Sequence, residues 1–267
     1  MDIHTERVSA VEIDTAFGRF EVRDTHQIKV MEGTSPEEAA NRLISSLIRK
    51  PDRLVVSAPS EMCTFRNLQI NSKDKKAVRS ALEFELEDDL PFDKENLYYD
   101  AVTLSVGPQG SSIHVGAGKK ESFKSFLDHL ISFGIDPEVI TTDPWAFRTL
   151  LQRIGSGKPI MLFGLEKTKT FVYIHHENKP VLYREIQFGI KKIEQILSED
   201  LSGTQEQVRS WIHDVGFNGI DQKVSECISE IFSALAPEVK QIELAARNSL
   251  KDAISHIWIT GEGAFIP

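Results

Sequence analysis

The sequence has little cysteine, no long apolar run and no surplus of positive charge, and each absence closes off a class of function. Cys63 and Cys227 are its two cysteines. They lie far apart, and neither has the nearby His and Cys partners of a zinc site, so both read as inert core thiols rather than disulfide, metal or redox groups. No apolar run approaches the roughly 20 residues needed to cross a bilayer. The first residues mix Asp2, His4, Glu6 and Arg7 with apolar side chains, unlike a secretory signal, so the chain is expected to start in the cytoplasm. Lys and Arg number 31 against 40 Asp and Glu, a formal net charge of -9, and no overall positive field draws phosphate backbones or anionic lipids. Nucleic acid is therefore not an expected partner.

What is present is ordinary soluble α/β material: 40% hydrophobic and 27% charged residues in a chain of 267, enough for two cores or one bilobal fold. Apolar patterning predicts strands over 8–13 and 19–24 around the turn 14–18, and a third strand over 27–31. A helix follows, with Ser35 as its N-cap, Pro36 and Glu38 in the first turn, and Leu43, Ile44, Leu47 and Ile48 at helical spacing. An apolar strand over 53–57 stops at Pro59. The same order returns as strands over 159–163, 170–175 and 180–187, a helix over 190–199 and, after further helical stretches, a strand over 257–260. Two copies of a strand-strand-strand-helix-strand unit predict a duplicated α/β fold. Residues 63–118 read as an inserted strand-helix-strand-strand subdomain, followed by a helix over 120–133 that ends at Gly134. The Gly155-Ser156-Gly157 linker places the first lobe at 1–154 and the second at 155–267. The second lobe is expected to be cut short, because the last residues follow a strand and leave a turn without its next element; a membrane segment could lie beyond.

Other chemistry finds little support. His175 and His176 adjoin on a predicted strand and point to opposite faces, so they cannot chelate one metal; an outward pair at a hairpin end is the expectation. His213 and Asp214 have no Ser or Cys nucleophile motif beside them. No catalytic residue and no metal site is assigned. The helix over 73–90 has Lys73, Lys75 and Lys76 in its first turn and Glu87, Asp88 and Asp89 in its last, an order that opposes the helix dipole at about 0.3–1 kcal/mol per charge. Two readings stay open: a solvated face with local compensation, or a partner-binding edge at Glu87, Asp88 and Asp89 that meets a basic segment.

Several segments together resemble the PilM and GspL families of type IV pilus and type II secretion machines. They are the run 56–60, Arg66, the stretch 81–87 with 90–92 and Tyr99-Asp100, then 115–117 with Lys120, Tyr183 to Ile186 with Gly189, and the ending 259–264. The resemblance implies an actin-like (ASKHA, ribonuclease H-like) fold of two lobes with a small inserted subdomain in the first. In actin-like ATPases of this kind, facing strand turns hold ATP and a divalent metal. Here the implied cofactor residues are Asp14 and Gly18 in the first turn and Gly261 and Gly263 near the end, and the site looks eroded. Ala16 and Phe17 stand where small residues are expected, Gly164 stands where an Asp is expected, and Glu262 interrupts the terminal glycines. No cofactor is expected, and ATP with magnesium is disfavoured.

The resemblance further implies a non-catalytic, GspL-like cytoplasmic scaffold of a type II secretion system, at the inner face of the inner membrane. Its partners would be the N-terminal domain of the secretion or pilus ATPase and the cytoplasmic tail of an inner-membrane platform protein, with a homodimer allowed. The alternative is a PilM-like pilus assembly protein that binds ATP and the tail of an alignment protein; an actin-like ATPase or phosphotransferase stands third.

Overall fold

In a computed structural model the chain divides into two compact units, Met1–Phe147 and Arg148–Pro267. The structure describes every residue except Thr5, Phe17, Gly18, residues 90–93, Gly155, Ser156, Asn178, Asn218, Ile220, Asn248, Ser249 and Lys251, and for Ala16, Asp88, Asp89, Lys94 and Ile154 it describes the backbone alone.

The first unit runs β1 (Asp2–Ile3), β2 (Arg7–Ala16), β3 (Arg19–Lys29), α1 (Pro36–Ser46), β4 (Val55–Ala58), β5 (Thr64–Ile70), α2 (Lys75–Asp89), β6 (Leu97–Gly107), β7 (Gly110–Lys119), α3 (Lys120–Ser132), β8 (Val139–Thr142) and α4 (Asp143–Ile154), and the division between units falls within α4. β1, β2 and β3 pair antiparallel in that order. Met1 ties them to β4, donating its amino N–H to Val55 O at 2.7 Å and accepting from Ser57 N at 2.9 Å, and β4 pairs with β8 in parallel.

Two expectations are corrected here. The first strand is β1, shorter and earlier than residues 8–13, and the segments 19–24 and 27–31 are one strand. Asp24 and Thr25 do not break it, because β3 absorbs an extra residue as a bulge opposite Glu12 and Ile13 and continues its ladder to Lys29.

α1 begins as its sequence requires. Ser35 Oγ accepts from Glu38 N at 3.1 Å and Glu38 Oε2 accepts from Ser35 N at 3.2 Å, a reciprocal capping box with Pro36 at the first position. Its face of Ala39, Ala40 and Leu43 buries against Val8, Val56, Leu130 and Ile135. The insertion is a sheet in the order β5-β7-β6 backed by α2, whose Leu82 and Leu86 pack with Ile70, Leu97, Ile113 and Val115, and Val78 joins them partly buried. Leu90 lies outside the described residues.

The second unit has β9 (Ile160–Leu165), β10 (Thr170–His176), β11 (Lys179–Ile186), α5 (Ile190–Leu201), α6 (Gln205–Ser210), α7 (Gln222–Arg247) and β12 (His256–Thr260). The strand order is β11-β10-β9-β12, with β12 parallel to β9. Ile190, Ile193 and Leu197 of α5 pack with Leu165, Val224 and Ile228, while Met161, Val172 and Ile174 pack with Ala246 of α7. Strand-strand-strand-helix-strand therefore occurs in both units, and the register makes the repeat residue-specific. Ile3 pairs with Val8 and Leu165 with Thr170, so each first hairpin has a four-residue connection, and Asp2 occupies the place of Gly164.

Candidate functional site

The repeat identifies which turns are equivalent. The β9–β10 turn, residues 166–169, matches residues 4–7 of the first unit, not residues 14–18. Asp14 is thus corrected out of the first turn: it lies near the far end of β2, half exposed, its carboxylate ion-paired with Arg23 across the hairpin. Gly18 lies outside the described residues. The acidic residue at the end of the first strand is Asp2. Burial pushes its carboxyl up, but His4, by hydrogen bond and charge, the amino terminus and Arg7 together hold it below the ordinary value. His4 Nε2 stands 3.1 Å from Asp2 Oδ2. The signal that could have found Asp2 is the spacing Ile3 to Val8, which repeats as Leu165 to Thr170.

In the second unit the equivalent position offers no carboxylate and no room for one. Gly164 is buried, and a Cβ built on it would stand 2.1 Å from Cε1 of Phe171, its cross-strand partner. The turn beside it is occupied by its own unit. Glu166 O and Lys167 O accept from the first amides of α5, Ile190 N and Lys191 N, each at 2.9 Å. Those amides would otherwise face an anion. Lys167 Nζ is 3.0 Å from Glu194 Oε1, and Lys169 Nζ is 2.9 Å from Glu185 Oε1. Lys169 is 6% exposed. α5 and β11 thus supply a carboxylate to each lysine of the turn.

Gly261 and Gly263 do come together with this turn. Gly261 has φ +83, and a Cβ on it would meet Leu165 O at 2.4 Å; on Gly263 it would meet Leu165 Cδ2 at 2.3 Å. Both glycines are thus required by the turn after β12 packing on the end of β9. His175 and His176, expected outward, are 2% and 8% exposed, since both faces of β10 are covered. Near His213, Ser210 Oγ donates to Asp214 Oδ2 at 2.6 Å on an exposed surface. Cys63 is a partly buried thiol pushed up to about 11 by desolvation, the opposite of an activated nucleophile. Among the described residues, no group of three or more His, Cys, Asp or Glu could hold a metal ion.

An open feature lies in the insertion. Between α2 and the β6–β7 face runs a groove of about 1000 Å³. Val78, Leu82, Leu86, Leu97 and Ile113 make its floor. Its rim mixes cations at Lys73, Lys75, Arg79 and Lys120 with anions at Glu83, Glu95 and Asp100. Tyr99 Oη donates to Glu83 Oε1 at 3.0 Å, and Lys120 Nζ donates to Glu95 O at 2.7 Å while lying 5.5 Å from the Tyr98 ring centre. At the start of α2, Asp74 Oδ1 accepts from Lys76 N at 3.1 Å and Ala77 N at 2.9 Å. A carboxylate therefore caps the helix whose first turn the sequence fills with lysines. At the other end Glu87 is exposed, as is Phe84 at 62%, and the side chains of Asp88 and Asp89 lie outside the described residues.

The sequence profile of the type II secretion system protein L family matches residues 18–149. By structure, the chain is similar to a chain of the PilM-PilN type IV pilus biogenesis complex, with TM-score 0.75 and 14% identity over 99% of this chain and 81% of that one. It is similar to the ethanolamine utilization protein EutJ of Carboxydothermus hydrogenoformans at TM-score 0.50 and 9% identity, over 99% of this chain and 76% of that one. The cytoplasmic domain of EpsL, an inner membrane component of the Vibrio cholerae type II secretion system, matches at TM-score 0.45 and 13% identity, over 76% and 75%. By sequence the chain matches none of the curated proteins. At these identities the first two structures establish the actin-like α/β fold.

Proposed function

We propose that the chain, which has an actin-like fold and matches the type II secretion system protein L profile over residues 18–149, works as a non-catalytic docking scaffold in a secretion or pilus assembly machine. One observation carries this reading: the second unit's turn is closed on itself. Phe171 fills the space a carboxylate at Gly164 would need, α5 amides bind the turn's own carbonyls, and both lysines are paired within the unit. A phosphate grip needs free amides, small residues and an uncommitted cation at that place. The nucleotide site is accordingly an inherited shape adapted to packing.

The groove of the insertion is then the working surface. An apolar floor with a rim of both signs fits an extended or helical segment that carries spaced apolar side chains and at least one basic residue, the latter drawn to Glu83, Glu95 and the acidic end of α2 at Glu87. We assign this role to the cytoplasmic tail of an inner-membrane platform protein, with the N-terminal domain of the assembly ATPase as a second partner, at the inner face of the inner membrane. The GspL-like scaffold is favoured over a PilM-like, ATP-binding one by the closed turn. The test is capture of the tail at low salt. Val78→Lys at the partly buried edge of the groove, and separately Glu87, Asp88 and Asp89 exchanged for Lys, should each weaken capture while circular dichroism stays native. Undiminished capture by both variants would refute the assignment.

A further inference from the structure

The charges of α2 and the dipole of its backbone add along the insertion groove instead of cancelling. α2 carries Lys75, Lys76 and Arg79 in its first half, just after Lys73, and Glu83, Glu85 and Glu87 in its second. A helix is positive at its first turn and negative at its last, so an order chosen for the helix alone would be the reverse. For the groove beside it, however, every contribution has the same sense. Lys73, Lys75, Arg79 and Glu83 line that groove, with Glu95 and Asp100 on the side of β6.

Two hydrogen bonds fix which end is which. Ser111 Oγ donates to Ser72 O at 2.7 Å, and Ser111 pairs with Val106 beside the β6–β7 turn. Tyr99 Oη, near the start of β6, donates to Glu83 Oε1 at 3.0 Å. α2 therefore runs antiparallel to β6, with a cationic end at Val106 and an anionic end at Tyr99. The opposite charges at each end are turned to backbone: Asp74 Oδ1 accepts from Lys76 N and Ala77 N, and Lys120 Nζ donates to Glu95 O. The field between the two ends is left for an occupant to meet.

The size of the groove selects the form of that occupant. From Lys75 to Leu86 the axis of α2 covers about 17 Å, and a second helix of that length, about 10 Å across, fills roughly 1300 Å³. The groove holds about 1000 Å³. An extended segment of about six residues covers the same length, and at strand spacings of about 4.8 and 10 Å it fills roughly 800 Å³. Leu97, Tyr99, Ala101 and Thr103 all line the groove, at the two-residue period of a strand. That period matches alternate side chains of an extended segment laid beside them.

Resting on the reading of this groove as the docking surface, we propose that its occupant is an extended segment of a partner protein, about six residues long and apolar at alternate positions. Its acidic end lies by Lys73 and Lys75, and its basic end by Glu83 and Glu95. The test uses three labelled synthetic peptides with one shared core of alternating Leu and Ser and with blocked termini, so that side chains alone carry charge. One has Glu residues at one end and Lys residues at the other, one has Lys at both ends, and one has Glu at both. Each is titrated into the intact chain at low salt with fluorescence anisotropy.

The mixed peptide should saturate with Kd on the order of tens of micromolar, and each of the others should bind about tenfold more weakly. Lys73→Glu with Lys75→Glu should make the doubly basic peptide the tightest of the three, with Tm no lower than the parent's, since acidic residues suit a helix start. An unchanged ranking in that variant would overturn the proposal. So would equal Kd for all three in the parent; if Val78→Ser then weakens all three alike, the groove reading stands and the charge order alone falls. Helical circular dichroism gained by the bound mixed peptide would overturn its extended form. No saturation by any peptide up to about 1 mM would also overturn the proposal, and loss of tail capture in Val78→Lys would then keep the groove as the docking surface.

Discussion

Gly164→Asp restores the carboxylate that the closed turn lacks, and by the geometry it should destabilise the second unit. The new Cβ would stand 2.1 and 2.2 Å from Cε1 and Cζ of Phe171, on a buried strand paired on both sides. Forced overpacking of this kind costs about 1–3 kcal/mol, and a buried polar group without partners adds about 1–3 kcal/mol. The sum, near 4 kcal/mol, is a large share of the roughly 5–15 kcal/mol that holds a protein together. At about 2–4 °C per kcal/mol, Tm should fall by on the order of 10 °C in calorimetry or thermal circular dichroism. Phe171→Ala alone should cost about 3–5 kcal/mol as a cavity. The double variant should then cost less than the sum of the singles by about 1–3 kcal/mol, because each change relieves the other. Strict additivity, or a Gly164→Asp Tm within about 2 °C of the parent, would refute the claim that Phe171 fills the carboxylate's place.

Three further outcomes follow from the same geometry. Glu185→Ala leaves the buried Lys169 ammonium without its carboxylate and should cost about 3–5 kcal/mol in urea unfolding, whereas Lys169→Met with Glu185→Leu should cost much less; equal costs would deny the pairing. Asp2 has its carboxyl lowered on folding, so it contributes stability above the ordinary carboxylate range that is lost as pH falls through its folded value. Asp2→Asn should flatten the stability curve below about pH 4, and an unchanged acid limb would contradict the assignment. Leu86→Ala, in the core under α2, should cost about 2–5 kcal/mol and speed hydrogen exchange across β6 and β7 while β9 and β10 keep their protection; uniform loss would mean the insertion is not a separate packing unit.

Much of the fold was legible because it is written in local signals. The Ser35 cap, the Gly134 stop, at φ +76, and the apolar β-branched and aromatic run over 170–175 each have one cheap solution, and the structure adopts it. The order of elements carried the duplication even though no residue identity did. The first turn was misplaced because β1 spans two residues, too few for periodicity, and owes its pairing to Met1 and Val8, which no window of sequence reveals. Asp14 was chosen in its stead as the acidic residue of a visible hairpin turn. The two histidines of β10 were read as an outward pair for a related reason: burial by neighbouring elements is a property of long-range packing. Gly164 was noted as standing where an Asp is expected, but the ring that fills its place could be seen only once the β9–β10 register was known.

The docking-scaffold account stands or falls most directly on nucleotide binding, measured by titration calorimetry of the intact chain with ATP and magnesium. With the α5 amides, Lys167 and Lys169 committed within their own unit, no binding heat is expected up to about 1 mM nucleotide. Saturable binding with Kd below about 1 μM, lost in Asp2→Ala, would contradict it and return the chain to the nucleotide-dependent actin-like proteins.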